Sequence, residues 1–193
     1  VTFGNFLWLF GINGTSIIFP IVFSIGITNT GINSELIASG QEATVAMNLQ
    51  MFRISVLGGA GGTLGLIILM LRSKLVHLKT LSKISIIPGI CGINEPVIFG
   101  LPIVFNPILA IPFLLTPIIN LVLTYYAQVA GIISMGYIID PSFTPFFAQA
   151  YLATMDFRNV LFYFGLVVLS IFIYYPFFKV YENSLSRQSA MEN

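Results

Sequence analysis

Glu95 stands alone in the longest tract of the sequence that carries almost no charge. Eleven uncharged residues (84–94) precede it and forty-four (96–139) follow. An ionised carboxylate at membrane depth costs several kcal/mol, and such a group usually faces a bundle interior or a water-filled path. Glu95 also falls in a backbone break, Gly92-Ile93-Asn94-Glu95-Pro96. Breaks of this kind, with glycine and proline around polar residues, are where membrane hairpins turn and bind solutes. A carboxylate there can accept hydrogen bonds from two hydroxyls of a sugar, and bonds to a charged acceptor are the stronger kind. The competing reading is a solvated carboxylate at a loop tip near Lys83.

Two amides join it as candidate ligands. Asn13 lies between Gly11-Ile12 and Gly14, in a second break. Its side chain both donates and accepts, which suits a neutral hydroxylated solute; a buried amide bonded to a kinked backbone is the equal alternative. Asn94 adjoins Glu95. The remaining reactive types promise less. His77 reads as an exposed loop histidine among Lys74 and Lys79. Cys91, the single cysteine, allows no internal disulfide and no cysteine metal cluster, and reads as an inert small apolar residue. Gly58-Gly59-Ala60-Gly61-Gly62 lacks the lysine of a nucleotide-binding loop. With one histidine, no Ser/His/Asp set is credible. No cofactor and no resident metal are expected.

The elements that must hold these residues are membrane-spanning. Only 8% of the 193 residues are charged and 56% are hydrophobic, against roughly 25% charge in an ordinary soluble domain. The charges cluster, leaving 1–34, 54–71, 96–139 and 159–178 without any. A spanning helix needs roughly 20 mostly apolar residues. The expected spans are 1–27, interrupted at 11–14 and Pro20, then 54–71, 108–128 and 160–178. The stretch 28–55 reads as extramembrane, with a short helix near 42–52. Residues 81–101 carry too many breakers for one helix and read as a re-entrant hairpin. Residues 129–159 read as a second partial hairpin or an outer loop. Arg72, Lys74, Lys79 and Lys83 form the densest basic patch, which the positive-inside rule places in the cytoplasm. Four crossings then return both ends of the chain to that side. Tyr174, Tyr175 and Tyr181 with Lys179 read as interface anchors. The fold class is therefore all-α integral membrane, with about four transmembrane helices and one or two re-entrant hairpins. Residues 1–182 form one substrate-binding domain and 183–193 a polar cytoplasmic tail. A net charge of +1 argues against nucleic acid as a partner. The abrupt apolar opening suggests that an earlier segment is missing.

The run from Leu81 to Pro107, with Gly92-Ile93-Asn94-Glu95-Pro96 at its heart, closely resembles the enzyme IIC permeases of the bacterial phosphotransferase system, in their lactose/cellobiose/diacetylchitobiose branch. Tyr174-Tyr175-Pro176-Phe177-Phe178-Lys179 and the glycine run 58–66 resemble the same branch. The resemblance covers essentially the whole chain and matches the C-terminal transport domain of a ten-helix permease. It implies a multi-pass protein of the bacterial cytoplasmic membrane that dimerises through an N-terminal half absent here. It further implies transport of a β-linked disaccharide and its phosphorylation by the phosphocysteine of a separate enzyme IIB. Glu95 matches the family's sugar-contacting glutamate and is the candidate base. Asn13 stands where the family has a histidine, and an amide cannot exchange a proton as an imidazole does. The family's Trp-Thr-Thr-Pro-like segment is altered here to Pro141-Ser142-Phe143-Thr144-Pro145. Two other readings remain open on the residues alone: an ion-coupled secondary transporter, and a membrane subunit that transports nothing.

Overall fold

Proline and glycine dictate where the helices of this chain start and bend. A computed structural model describes residues 1–140 and 143–191; its regular structure is all helical, with no strand among the described residues. The helices are α1 (Thr2–Trp8), α2 (Gly14–Ala38), α3 (Leu49–Ser55), α4 (Leu64–Leu71), α5 (Val76–Ile90), α6 (Glu95–Gly100), α7 (Pro107–Val129), α8 (Phe146–Leu152) and α9 (Phe157–Met191), with a 3-10 turn at Ala60–Gly62. Pro141 and Ser142, in the altered family segment, and the end of the polar tail lie outside the described residues.

Helices α2, α7 and α9 are long and apolar enough to cross a bilayer, and α3 with α4 makes a fourth crossing if the pair counts as one broken span bent by 42°. At 1.5 Å rise per residue, the 25 residues of α2 reach about 37 Å, more than the roughly 30 Å of a hydrocarbon core. Helix α7 starts at Pro107 because Asn106 caps it, accepting from the Ile108 and Leu109 N–H groups at 3.0 and 3.2 Å. Pro107 occupies the first helical position, where a missing N–H costs nothing.

Helix α4 packs on α5 and on α9, α3 on α7, and α8 folds back on α9. Two apolar clusters result. One gathers Trp8, Leu66, Ile67, Met70, Ile98, Phe113, Tyr174 and Phe178 around the hairpin α5–α6. The other gathers Ile54, Leu64, Phe146, Tyr163 and Val167 where α3, α8 and α9 meet. Helix α2 stays outside both. Only 11% of its apolar window is buried, and Ile17, Ile21, Ile25 and Ile32 are exposed. An apolar face of that length is built to meet lipid or further protein.

The connections pair by side. At the C-terminal end of α2, Asn33 Nδ2 donates to Val45 O and to Gly136 O, both at 2.9 Å, and the Ser34 hydroxyl donates to Tyr137 O. The α2–α3 link thus meets the α7–α8 link. At the other end, Glu182 Oε1 accepts from Ser73 Oγ at 2.5 Å and from Lys74 N–H at 3.0 Å. The α4–α5 corner thus meets the end of α9. Alternate crossings require this pairing of connections.

Several expected boundaries move. The first long helix spans 14–38 rather than 1–27. Gly11 adopts φ +77 and ends α1, whereas Pro20 sits in the second turn of α2 without stopping it. The stretch 28–55 is accordingly helical to Ala38 and again from Leu49. His77 lies in the first turn of α5 rather than in a loop, exposed as expected. Tyr174 is no interface anchor: it is fully buried, and its hydroxyl donates to Gly61 O at 2.7 Å. Tyr181 is buried too, while Tyr175 is half exposed. Helix α9 runs without a break past Glu182.

Candidate functional site

Two breaks in the backbone come together in three dimensions. The first is the glycine turn between α3 and α4, where Gly59 has φ +91 and Gly61 φ +76. L side chains rarely tolerate that region, and here there is no room for one either. A Cβ on Gly61 would lie 2.1 Å from the Phe113 ring, and one on Gly59 would lie 2.3 Å from Asn94 Oδ1. The second break is the α5–α6 turn. Asn94 joins the two: its Nδ2 donates to Ala60 O at 2.6 Å and to Thr63 Oγ1 at 2.9 Å. Further carbonyls of the glycine turn are met by Thr63 Oγ1 on Gly58 O at 2.7 Å, Ser170 Oγ on Gly62 O at 2.9 Å and Tyr174 OH on Gly61 O. Backbone that leaves helical bonding at membrane depth must be re-satisfied inside the protein. These side chains do that.

Glu95, one residue on, opens α6 and turns the other way. Its side chain lines a cavity of about 420 Å³ bounded by Thr15, Ser16 and Phe19 of α2, Phe52 and Arg53 of α3, Gly59, Cys91, Phe143 and Gln149. Pockets that hold small molecules measure roughly 300–1,000 Å³ and pair apolar walls with a few polar groups. Here the apolar part is aromatic (Phe19, Phe52, Phe143), suited to the C–H faces of a sugar ring. The polar part offers a hydroxyl, an amide and charges of both signs. Arg53 is held by an ion pair to the buried Asp140 carboxylate and also donates to the Asp140 carbonyl at 3.1 Å.

The three sequence candidates do not share one wall. Glu95 reaches the cavity. It is exposed to the open side of this chain rather than enclosed, and among the described residues its carboxylate has no partner. As the first residue of α6, Glu95 points away from the core that Val97 and Ile98 fill. Asn13 caps α2, accepting from Ser16 N–H at 3.0 Å, and stands beside the cavity rather than on its wall. Asn94 is buried behind the cavity with both amide hydrogens engaged. Sequence reading missed Arg53, Gln149 and the aromatic wall. Arg53 was visible as the charge that bounds an apolar run, but its pairing with a residue 87 positions away was not. Cys91, read as inert filling, lines the cavity.

Known proteins resemble this chain in sequence and in fold. The family model for the phosphotransferase system, EIIC, matches residues 1–117. The chain is 38% identical over 186 residues to the PTS system lactose-specific EIICB component of Lacticaseibacillus casei, covering 93% of this chain and 32% of that protein. It is 34% identical over 188 residues to the lichenan permease IIC component of Bacillus subtilis (strain 168), covering 91% of this chain and 40% of that protein. The crystal structure of the transporter ChbC, the IIC component from the N,N'-diacetylchitobiose-specific phosphotransferase system, superposes with a TM-score of 0.91 at 30% identity, covering 97% of this chain and 45% of that one. The chain thus spans less than half the length of each of these relatives. On its sequence and its architecture alike, it belongs to the EIIC family of the phosphotransferase system.

Proposed function

We propose that this chain is the sugar-binding, translocating part of a phosphotransferase-system permease that takes a β-linked disaccharide of the lactose, cellobiose or diacetylchitobiose class. The observation that carries the reading is the unpartnered Glu95 carboxylate on the wall of an aromatic and polar cavity. Family membership, and the lactose, lichenan and diacetylchitobiose named for its relatives, support the same class of solute.

In this reading Glu95 accepts hydrogen bonds from two sugar hydroxyls. Arg53 faces the same cavity as a donor, and the phenylalanines flank the ring. Asn13 offers its free amide N–H groups at the cavity's edge, and Asn94 holds the turn that aims Glu95. At the cytoplasmic side a phosphorylated enzyme IIB transfers its phosphoryl group to a sugar hydroxyl. Positioning and charge stabilisation supply most of such a transfer. Glu95 is the group placed to take the hydroxyl's proton, since Asn13 cannot. The permease sits in the bacterial cytoplasmic membrane with the Arg72–Lys83 patch inside, and it dimerises through an N-terminal half. Residues 1–182 form the transport domain and 183–193 its cytoplasmic tail.

Sealed vesicles containing the full-length permease test this. With enzyme IIB and a phosphoryl donor inside, cellobiose added outside should appear within as sugar phosphate. Free sugar accumulating only under an ion gradient would establish symport instead.

A further inference from the structure

A second, larger cavity opens at the other end of α2. It measures about 690 Å³ and lies where the α2–α3 link meets the α7–α8 link; its wall includes Ile37, Glu42, Thr44, Gln128, Ser134 and Arg158. On the proposed sidedness this end faces outward.

Its chemistry suits a neutral, polyhydroxylated solute. Glu42 and Arg158 put one charge of each sign on the wall, so neither an anion nor a cation is selected. Arg158 is fixed in place: it pairs with Asp156 at 2.8 Å and donates to Gly131 O at 3.2 Å. Ser134 is fixed likewise, its hydroxyl donating to Asp156 Oδ2 at 2.6 Å. The floor carries an independent sign of a ligand. Gln128 is 3% exposed, and its Nε2 donates to Gln50 Oε1 at 3.2 Å. That leaves Gln128 Oε1 and Gln50 Nε2 buried with no partner among the described residues. Gln128, on the cavity wall, thus keeps an acceptor for one hydroxyl, whereas the Gln50 amide lies against the buried Tyr163 hydroxyl. A buried polar atom left unmade costs about 1–3 kcal/mol.

Helix α3 links the two cavities. Gln50 bonds to the floor of the outer one, and Arg53 lines the Glu95 cavity. The two residues are one turn apart on α3, a rise of about 4.5 Å. We propose that the outer cavity is a second, weaker binding site for the same class of sugar, a vestibule that loads solute ahead of the Glu95 site. This rests on the reading of the chain as a sugar permease.

Calorimetric titration of cellobiose into the full-length permease in lipid nanodiscs tests it. Glu95→Gln should leave a weak saturable component. Adding Glu42→Ala, at an exposed position outside the packed core, or Thr44→Trp, which fills the cavity, should weaken that component at least fivefold. Residual binding that neither change alters, or no residual saturable binding, overturns the vestibule; in the second case a buried water on Gln128 Oε1 accounts for the orphan acceptor. If Glu95→Gln binds as the wild type does, the assigned role of Glu95 fails, and Glu42→Ala and Thr44→Trp still decide the vestibule on their own.

Discussion

The glycine turn between α3 and α4 and the turn between α5 and α6 are both interruptions of helix in an apolar setting, yet they are finished in opposite ways. Around the first, carbonyls of Gly58, Ala60, Gly61 and Gly62 are bonded by Thr63, Asn94, Tyr174 and Ser170. These four carbonyls are answered within the chain. At the second, the residue that follows the joining asparagine presents to a cavity a carboxylate with no partner among the described residues. A break whose polar groups are closed by side chains is scaffold. A break that leaves a charge unanswered beside a cavity is where a ligand belongs. The closed break is what holds the open one in place, through Asn94.

That contrast can be broken first at its most rigid point. Gly61→Ala puts a methyl group into the Phe113 ring at a left-handed φ. Backbone strain and overpacking together should cost about 2–5 kcal/mol. Thermal unfolding of the purified permease should show the loss, whereas Gly92→Ala, whose Cβ would meet open space, costs only the strain of its φ of +82. Next in size, Asn94→Leu strips the bonds to Ala60 O and Thr63 Oγ1. It should destabilise by about 1–3 kcal/mol in denaturant titration. It should also weaken sugar binding although Asn94 does not reach the cavity wall, because Glu95 loses its support. A smaller effect is expected from Asn13→Ala. The lost cap on Ser16 N–H should cost about 1 kcal/mol of stability, and Asn13→Ser, which still caps, should restore stability while leaving sugar affinity reduced.

The smallest effect concerns the outer end. The Arg158 guanidinium bonded to Asp156 holds that carboxyl down to about 2, below its ordinary 3.8. A folded-state value below the unfolded one adds stability above the unfolded value, and that addition is lost as pH falls through the folded one. The pair's contribution should therefore be constant from pH 7 down to about 4 and fade between about 4 and 2. Asp156→Asn should abolish that part of the acid dependence in unfolding measurements. The effect is small because Arg158 is exposed.

Much of this was legible in the chain itself. The charge-free stretch 96–139 located α7 to within a residue at each end. The glycine and proline around Glu95 marked a break in helix, and α5 ends at Ile90 and α6 starts at Glu95. What stayed hidden depends on partners distant in sequence. Pro20 read as a break, yet in the second turn of α2 it interrupts little, so the first long helix was placed 13 residues too early. Tyr174 read as an interface anchor because nothing in sequence links it to Gly61, 113 residues away. Arg53 could be seen as a charge beside an apolar run, but the buried Asp140 that makes it a fixed donor lies across the molecule. Glu95 itself was found from its isolation, and its exposure to the open side of the cavity required the fold.

The central claim is that the Glu95 carboxylate binds the sugar. Titration of cellobiose into the full-length wild-type permease and into Glu95→Gln measures this directly, because the substitution keeps the shape and removes the charge. Losing charge-assisted bonds worth about 1.5–3 kcal/mol should lower the affinity of the stronger site roughly 10- to 150-fold with no change in thermal stability. Equal affinities in two equally stable proteins would contradict the account.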